Sequence, residues 1–148
     1  MLWPTDPHIW PPAVEAWTTD LDLGPDDWEP VARNAFGTMR VWSPSTGVSL
    51  TIHPARGWIF PARGPIAPLG EVGPDDVDVF DVDDKPLLLR ARDRLGPVGP
   101  DTLYAFAPPL GQGGEPRLEA LRITEAVPHV LELAAVTERT IFPDVSRA

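Results

Sequence analysis

The sequence predicts an α+β fold in which a small antiparallel β-sheet, a meander, packs against two or three helices and is joined by many loops. Three observations lead to this prediction. The middle of the chain alternates apolar and polar side chains between short glycine-containing turns, which is typical of strands. Other segments repeat apolar residues at helical spacing. The 20 prolines and 12 glycines fall between these patterned segments.

Length and composition suit one globular domain with a buried core, since the chain has 148 residues and is 43% hydrophobic. We predict a single domain over 1–148, with a Pro/Trp-rich N-terminal segment, 1–25, and a core, 26–140. The lack of cysteine excludes disulfides and thiolate metal sites. The N-terminus does not have the pattern of a signal peptide and no stretch is long enough to span a bilayer, so we expect a cytoplasmic protein.

A short helix is predicted in the N-terminal segment, from about Pro12 to Thr18. Proline is tolerated in a first helical turn, and Val14 and Trp17 then share one face. The tryptophans of this otherwise irregular segment either pin it to a core or form an exposed binding patch. Pinning is the commoner role of scattered aromatic residues.

Three strands are predicted in the middle of the chain. Apolar and polar residues alternate in Thr38–Trp42 and in Val48–His53, and a Ser-Pro-Ser-Thr-Gly turn between them indicates a β-hairpin. A second turn, 54–57, leads to a third strand, Trp58–Phe60. Residues 61–75 are rich in proline and glycine and are predicted to form a loop.

An acidic run follows this loop, from Asp75 to Asp84. Valine alternates with aspartate there, which suggests an edge strand with one buried side, although the alternation slips at Phe80. The run lacks the central glycine and the terminal glutamate of an EF-hand, so a solvated acidic face is preferred to a calcium site. Its aspartates are Asp75, Asp76, Asp78, Asp81, Asp83 and Asp84.

Two more helices are predicted in the C-terminal half. The first is capped by Asp83 or Asp84 and is ended by Gly96. The second runs from about Glu125 to Arg139, after a connecting strand or extended segment. The apolar positions are Leu88, Ala91 and Leu95 in the first helix, Leu118, Leu121 and Ile123 in the connecting segment, and Val127, Val130, Leu131, Ala134 and Ala135 in the second helix, with Thr124 as a possible cap.

The stretch Leu103–Gly114 is predicted to be a buried hinge between these elements. Tyr104 and Phe106 alternate with small residues as in a short strand. The two prolines that follow lack backbone N–H donors and therefore end any ladder of hydrogen bonds between strands. The glycines that follow invite comparison with a phosphate-binding loop. That chemistry needs Lys-Ser or Lys-Thr, whereas here Glu115 follows directly, so a structural turn is preferred.

The formal net charge of −10 argues against nucleic acid or an anionic membrane as the main partner, because both require positive potential. A basic protein is the natural partner for a chain with this negative charge. Acidic soluble proteins are common, however, and plain solubility is the preferred explanation of the charge when nothing else is considered.

The sequence carries no common catalytic motif, so we predict that the protein is not an enzyme and holds no cofactor or metal. The aspartates of the acidic run are too solvated for strongly shifted pKa values. The serines lie in turns, at an outward strand position or in the tail: Ser43, Ser45, Ser49 and Ser146. The histidines, His8, His53 and His129, are far apart and are interpreted as surface or packed side chains.

Two blocks of the sequence carry a family resemblance. The first, Trp28–Gly37, reads WEPVARNAFG and precedes the hairpin. The second, from Leu95 through YAF and PPLGQGG, precedes the helix with His129 and Leu131. These blocks resemble the GAD-like family of bacterial immunity proteins, the Tdi type, in which PFARTAFGD precedes a strand pair and YGFxPALALGG precedes a helix with a similarly placed His-Leu.

The resemblance extends over roughly Asp26 to Glu138. It departs from the family pattern at Ala105, Pro109 and Gln112, in and beside the glycine-rich stretch, and in its short N-terminal portion. Members of that family are the immunity partners of type VI secretion DNase effectors. The family supplies no catalytic residues to transfer.

What the resemblance implies is a non-enzymatic cytoplasmic antitoxin that binds and neutralises a cognate toxin, expected to be a nuclease of a bacterial secretion system. An acidic inhibitor would be steered onto the basic groove of such a toxin, and the six aspartates of the acidic run are the predicted contact residues. The tryptophan-rich N-terminal segment is the other candidate contact.

Two alternatives of other classes stay open. One is a small hydrolase or ligand-binding protein with His53 or His129 beside a carboxylate in a pocket. The other is a scaffold or assembly module that uses exposed tryptophans. The sequence leaves the oligomeric state open.

Overall fold

The computed structural model describes residues 2–23, 26–63 and 85–143. Within these residues the chain forms eight strands and three α-helices. The strands are β1 (Leu2–Pro4), β2 (Glu29–Asn34), β3 (Met39–Trp42), β4 (Val48–His53), β5 (Trp58–Arg63), β6 (Thr102–Phe106), β7 (Leu121–Glu125) and β8 (Thr140–Ile141). The helices are α1 (Pro11–Thr18), α2 (Lys85–Leu95) and α3 (Ala126–Val136). The predicted α+β class is confirmed.

The larger sheet has six strands in the order β1-β2-β3-β4-β5-β8. Strands β1 to β5 pair antiparallel with their neighbours, and β8 pairs in parallel with β5. The predicted meander is thus the centre of this sheet. Strand β5 continues through Pro61, where a loop was predicted. Because β8 pairs only with Trp58 and Ile59, Pro61 lies on a part of β5 where a missing N–H is tolerated.

Three strands of the larger sheet, β1, β2 and β8, lacked a recognisable pattern in the sequence. In β2, consecutive residues Ala32, Arg33 and Asn34 are all buried, so apolar and polar residues do not alternate. The register also shifts between Pro30 and Ala32. Strands β1 and β8 are only three and two residues long, too short for a periodic signal.

The inner face of the sheet packs against α1 and α3 to form the first core. A second core lies beneath α2 and the small β6-β7 sheet. The first contains Trp10, Ala13, Val14, Trp17, Met39, Val41, Leu50, Ile52, Ile59, Leu103, Ala105, Ala126, Val130 and Leu133. The second contains Ala35, Phe36, Leu88, Ala91, Val98, Tyr104, Phe106 and Leu121. Strand β6 contributes to both, because alternate side chains point to opposite faces of a strand.

The first two helices match their predictions closely. Helix α1 buries Val14 and Trp17 on one face, as predicted. Helix α2 ends before Gly96, whose positive φ of 87° is that of a helix-ending glycine. Asp83 and Asp84, its predicted caps, lie outside the described residues.

The third helix differs from its prediction in cap, length and buried face. Glu125 occupies the N-cap position, so the prediction of Thr124 is wrong. The helix ends at Val136 because the chain then turns back to pair with β5. Its fully buried positions are Ala126, His129, Val130 and Leu133, whereas the predicted Ala135 is exposed. Apolar residues occur nearly all around this helix, so its periodicity does not select one face.

We predict that Gly57→Ala destabilises the protein far more than its matched control, Gly47→Ala. Both glycines have a positive φ, +73° and +71°, so alanine at either site costs about 1–2 kcal/mol in backbone strain. At Gly57 an added Cβ would also lie 2.1 Å from the backbone oxygen of Glu138, whereas at Gly47 it would meet no described atom within 4 Å. Urea unfolding should separate the two variants by at least about 2 kcal/mol. Equal losses would contradict the close approach of Glu138.

Candidate functional site

The two sequence blocks that carry the family resemblance pack directly on each other. The backbone N–H of Tyr104 donates to the carbonyl of Ala35 at 2.8 Å. The ring of Phe36 stacks on that of Phe106 with centroids 5.9 Å apart, and lies 6.0 Å from the ring of Tyr104. Segments about seventy residues apart in sequence therefore form one packed junction, which we call the block junction.

Arg33 is the buried cation of the block junction, with its side chain fully enclosed. Its Nη1 donates to the carbonyl of Thr102 at 2.7 Å, and its Nη2 donates to the carbonyl of Gly99. Burial lowers the pKa of Arg33 to about 10, while the nearby Asp101 charge opposes that shift. The guanidinium is thus protonated at neutral pH and ties β2 to the turn that leads into β6.

Asn34 shapes the tight turn between β2 and β3. Its side-chain oxygen accepts hydrogen bonds from the backbone N–H groups of Phe36 and Thr38, each at 3.0 Å. Gly37, in the same turn, has a φ of 88°, and a Cβ there would lie 2.9 Å from a methyl of Leu103. The first block therefore has a structural role, because its turn packs against β6.

The predicted hinge, Leu103–Gly114, is buried only in its first half. Its amides donate to carbonyl oxygens: Gly111 to Ala55 at 2.7 Å, Gln112 to Pro109 at 2.9 Å, Gly113 to Leu110 at 3.3 Å and Gly114 to Pro109 at 3.0 Å. Amides engaged in this way do not converge on an anion. This agrees with the interpretation of the stretch as a structural turn.

The six aspartates predicted to contact a partner lie outside the described residues, as does the whole acidic run. The other candidate contact, the tryptophan-rich N-terminal segment, has two of its tryptophans in the core. Trp10 and Trp17 are buried, and the indole N–H of Trp17 donates to the carbonyl of Val130 at 3.0 Å. Trp28 also packs against the first core. Trp10 and Trp17 thus anchor the segment to the core.

Ser43, one of the serines in turns, has a structural role. Its hydroxyl donates to Asp27 at 2.5 Å, and the backbone N–H of Ser45 donates to the same carboxylate at 2.9 Å. These hydrogen bonds, that of Ser43 first, lower the pKa of Asp27. The carboxylate therefore holds the turn between β3 and β4 against the chain before β2.

The three histidines lie in different surroundings. His8 is exposed, His53 is half-buried on β4, and His129 is buried on α3. Burial lowers the pKa of His129, while the charge of Glu132, one turn along the same helix, opposes this shift. Burial also lowers the pKa of His53, to about 4, and the nearby charge of Arg56 adds to the effect. His53 is therefore neutral at physiological pH.

The outer face of the sheet carries a cluster that the sequence did not single out. His53, Trp58, Phe60 and Phe142 form this outer aromatic cluster. Phe60 and Phe142 stack with centroids 4.5 Å apart, and Trp58 meets both rings edge-on at 6.4 and 5.8 Å. The guanidinium of Arg56 lies over the Trp58 ring at 4.8 Å. Three members sit at predicted strand positions, but Phe142 joins only because the chain returns beside β5.

The fold is similar to that of a solved structure. The crystal structure of Atu4351 from Agrobacterium tumefaciens aligns with a TM-score of 0.75 and 17% sequence identity, over 98% of this chain and 71% of that chain. At this identity the likeness establishes the fold alone. The chain matches no protein-family model and no curated protein sequence.

Two further observations concern ions and membranes. In residues 2–23, 26–63 and 85–143, no group of three or more histidine, aspartate or glutamate side chains is placed to hold a metal ion. The helices of the same ranges are too short or too polar to cross a membrane.

We predict that Arg33→Met lowers the free energy of unfolding by about 2–3 kcal/mol, because methionine leaves the half-buried carbonyl groups of Thr102 and Gly99 without this donor. Arg122→Met, at an exposed position on β7, is the control and should change stability by less than about 0.5 kcal/mol. Chemical denaturation followed by circular dichroism measures both. A loss no greater than that of the control would show that Arg33 does not hold the block junction.

We also predict that His53 makes stability fall as the pH drops from about 6.5 to 4. The folded pKa, about 4, is below the unfolded value, 6.5, so the unfolded chain binds the proton first and unfolding is favoured in this window. Stability is complete above the window, and the loss approaches about 3 kcal/mol. Urea unfolding of His53→Gln should lack this contribution, whereas exposed His8→Gln should retain it. Parallel pH curves for all three proteins would contradict the prediction.

Proposed function

We propose that this protein is a cytoplasmic immunity protein of the GAD-like, Tdi type, which binds and neutralises a cognate nuclease toxin of a bacterial secretion system. The observation that carries the proposal is the block junction. Arg33, Phe36, Tyr104 and Phe106 belong to the two blocks that resemble this family, and the same residues hold the junction together. A pattern that coincides with fold-determining contacts supports common ancestry better than a pattern scattered over the surface.

The charge of the chain supports a basic partner. Residues 64–84 contain seven acidic and no basic residues, so they contribute −7 to the net charge of −10. Nuclease toxins need positive potential to hold phosphates, and an acidic inhibitor competes with nucleic acid for it. The same charge raises the rate of encounter with a basic protein, and this gain weakens as salt is added.

In this proposal the protein inhibits the toxin by binding it and does not catalyse a reaction. The antitoxin covers or occupies the nucleic-acid groove of the toxin, and it needs no catalytic residue, cofactor or metal of its own. Protection in the producing cell requires tight binding, so we propose a nanomolar complex of ordinary interface size.

The proposal is tested with the protein encoded next to this one in its genome. We predict that this neighbour is toxic when expressed alone, that co-expression of the chain restores growth, and that the two proteins co-purify. Isothermal titration calorimetry should give a Kd of about 10 nM or lower. A neighbour that is neither toxic nor bound would overturn the proposal and would favour a screen for small ligands.

We predict that charge reversal in the acidic run weakens this complex. Replacing Asp75, Asp76, Asp78, Asp81, Asp83 and Asp84 by lysine should lower affinity by at least about tenfold, mainly through slower association at low salt. The exposed pair Asp20→Lys and Asp22→Lys changes the net charge by a third as much, so it gives the general effect of net charge per reversal. Surface plasmon resonance at two salt concentrations measures both rates. Unchanged affinity in the series would remove the acidic run from the interface.

A further inference from the structure

The segment that follows helix α3 runs along the outer edge of β5 as a short strap, Thr137–Phe142. It contains β8, whose two residues are both exposed and pair with β5 in parallel. The backbone N–H of Thr140 donates to the carbonyl of Gly57 at 2.8 Å, and that of Phe142 donates to the carbonyl of Ile59 at 2.9 Å. Parallel pairing is slightly weaker per residue than antiparallel pairing, so this two-residue ladder holds the strap only weakly.

Two side chains of the strap fasten it to the rest of the protein. Phe142 stacks on Phe60 with the ring centroids 4.5 Å apart. The Nη2 of Arg139 donates to the carbonyl of Ala16 at 2.6 Å, and the guanidinium lies 4.9 Å from the centre of the Trp17 ring. The strap is therefore closed by one aromatic contact, one cation and a minimal ladder.

Closure leaves two polar atoms of the strap in an unfavourable place. Thr137 Oγ1 and Arg139 Nε are buried, and neither meets a hydrogen-bond partner among the described residues. Two glycines lie beside Thr137, since its Cγ2 methyl is 2.9 Å from the Cβ position at Gly57 and 3.2 Å from that at Gly111. A buried polar atom that loses water and gains no partner is destabilising. The closed strap therefore carries a cost that hydration of these two atoms would remove.

The strap covers a part of the β5 edge that is otherwise open to pairing. Backbone groups of alternate residues in a strand point to the same side, so Gly57, Ile59 and Pro61 face this edge. Pro61 has no N–H to donate and blunts its own part of the edge. Within the described part of the chain, β8 is the strand that pairs with β5 on this side. The carbonyls of Gly57 and Ile59 are thus protected by the strap.

We propose that the strap is a clasp that opens and closes as one unit while both cores stay folded, and that it guards the edge of β5. In the closed state the edge is paired and Phe142 completes the outer aromatic cluster. In the open state the carbonyls of Gly57 and Ile59 face water, and β5 presents an edge with which an extended chain can pair. About one molecule in 100 to one in 1,000 is open at any time, as for a minor state a few kcal/mol above the main one.

Native-state hydrogen exchange followed by NMR tests whether the clasp opens separately from the cores. The amides of Thr140 and Phe142 should be protected about 100- to 1,000-fold. The amide of Tyr104, which donates within the block junction, should be protected at least about 100-fold more strongly. Low concentrations of urea should leave exchange in the strap unchanged and accelerate it at Tyr104, because local opening exposes little surface.

Two results of this measurement would overturn the clasp. Equal protection and equal urea dependence at all three amides would show that the strap opens only when the whole protein unfolds. Protection of the strap amides below about tenfold would show that the strap is not closed in solution.

Thr137→Val tests the cost of the buried hydroxyl. Valine has nearly the shape of threonine without the polar oxygen, so protection of the Phe142 amide should rise by at least about fivefold. Thr140→Val, the same change at an exposed position of the strap, is the matched control and should alter that protection by less than about twofold. Equal effects of the two variants would overturn the role of the hydroxyl in opening the clasp.

A single thiol gives an independent measure of opening, because the chain contains no cysteine. Thr137→Cys places the thiol at a buried position, and Thr140→Cys places it at an exposed one. Reaction with an aromatic disulfide reagent should be about 100- to 1,000-fold slower at position 137 than at position 140, and low urea should not accelerate it. A rate at position 137 that equals the exposed rate, or that rises steeply with urea, would contradict the proposal.

Discussion

The contact between β2 and β6 is the constraint on which the rest of the structure depends. The guanidinium of Arg33 binds the carbonyls that lead into β6, and the N–H of Tyr104 continues the contact at Ala35. A buried cation is costly unless polar groups are held against it, so the two carbonyls must stay in one arrangement around its terminal nitrogens. This requirement sets the small β6-β7 sheet against one end of the larger sheet.

Strand β6 then divides the interior into two cores. Leu103 and Ala105 face the first core, and Tyr104 and Phe106 face the second. A strand buried on both faces has little freedom to slip in register, because a shift of one residue would exchange the two sets of side chains. This packing covers the inner face of the larger sheet. Its outer face carries the outer aromatic cluster.

The proposed function gives a task to the negative charge of the chain. Residues 64–84 contribute −7 of the net charge of −10. Under that proposal the charge attracts a basic toxin over about 8 Å, the screening length at physiological salt. An inhibitor attracted in this way meets its target faster, and the gain in rate falls as salt is added.

The sequence by itself determined the elements whose signal is local. Helices α1 and α2 and strands β3 to β6 follow from periods of 3.6 or 2, with turn residues at their ends. Tertiary structure decided the rest: the pairing of β1 and β8, the burial of Arg33 in β2, the buried face of α3, and the placement of Phe142 beside Phe60. Short strands lack a period, and an apolar helix has several faces it can bury. Their positions are set by contacts between residues far apart in the chain, which no local pattern records.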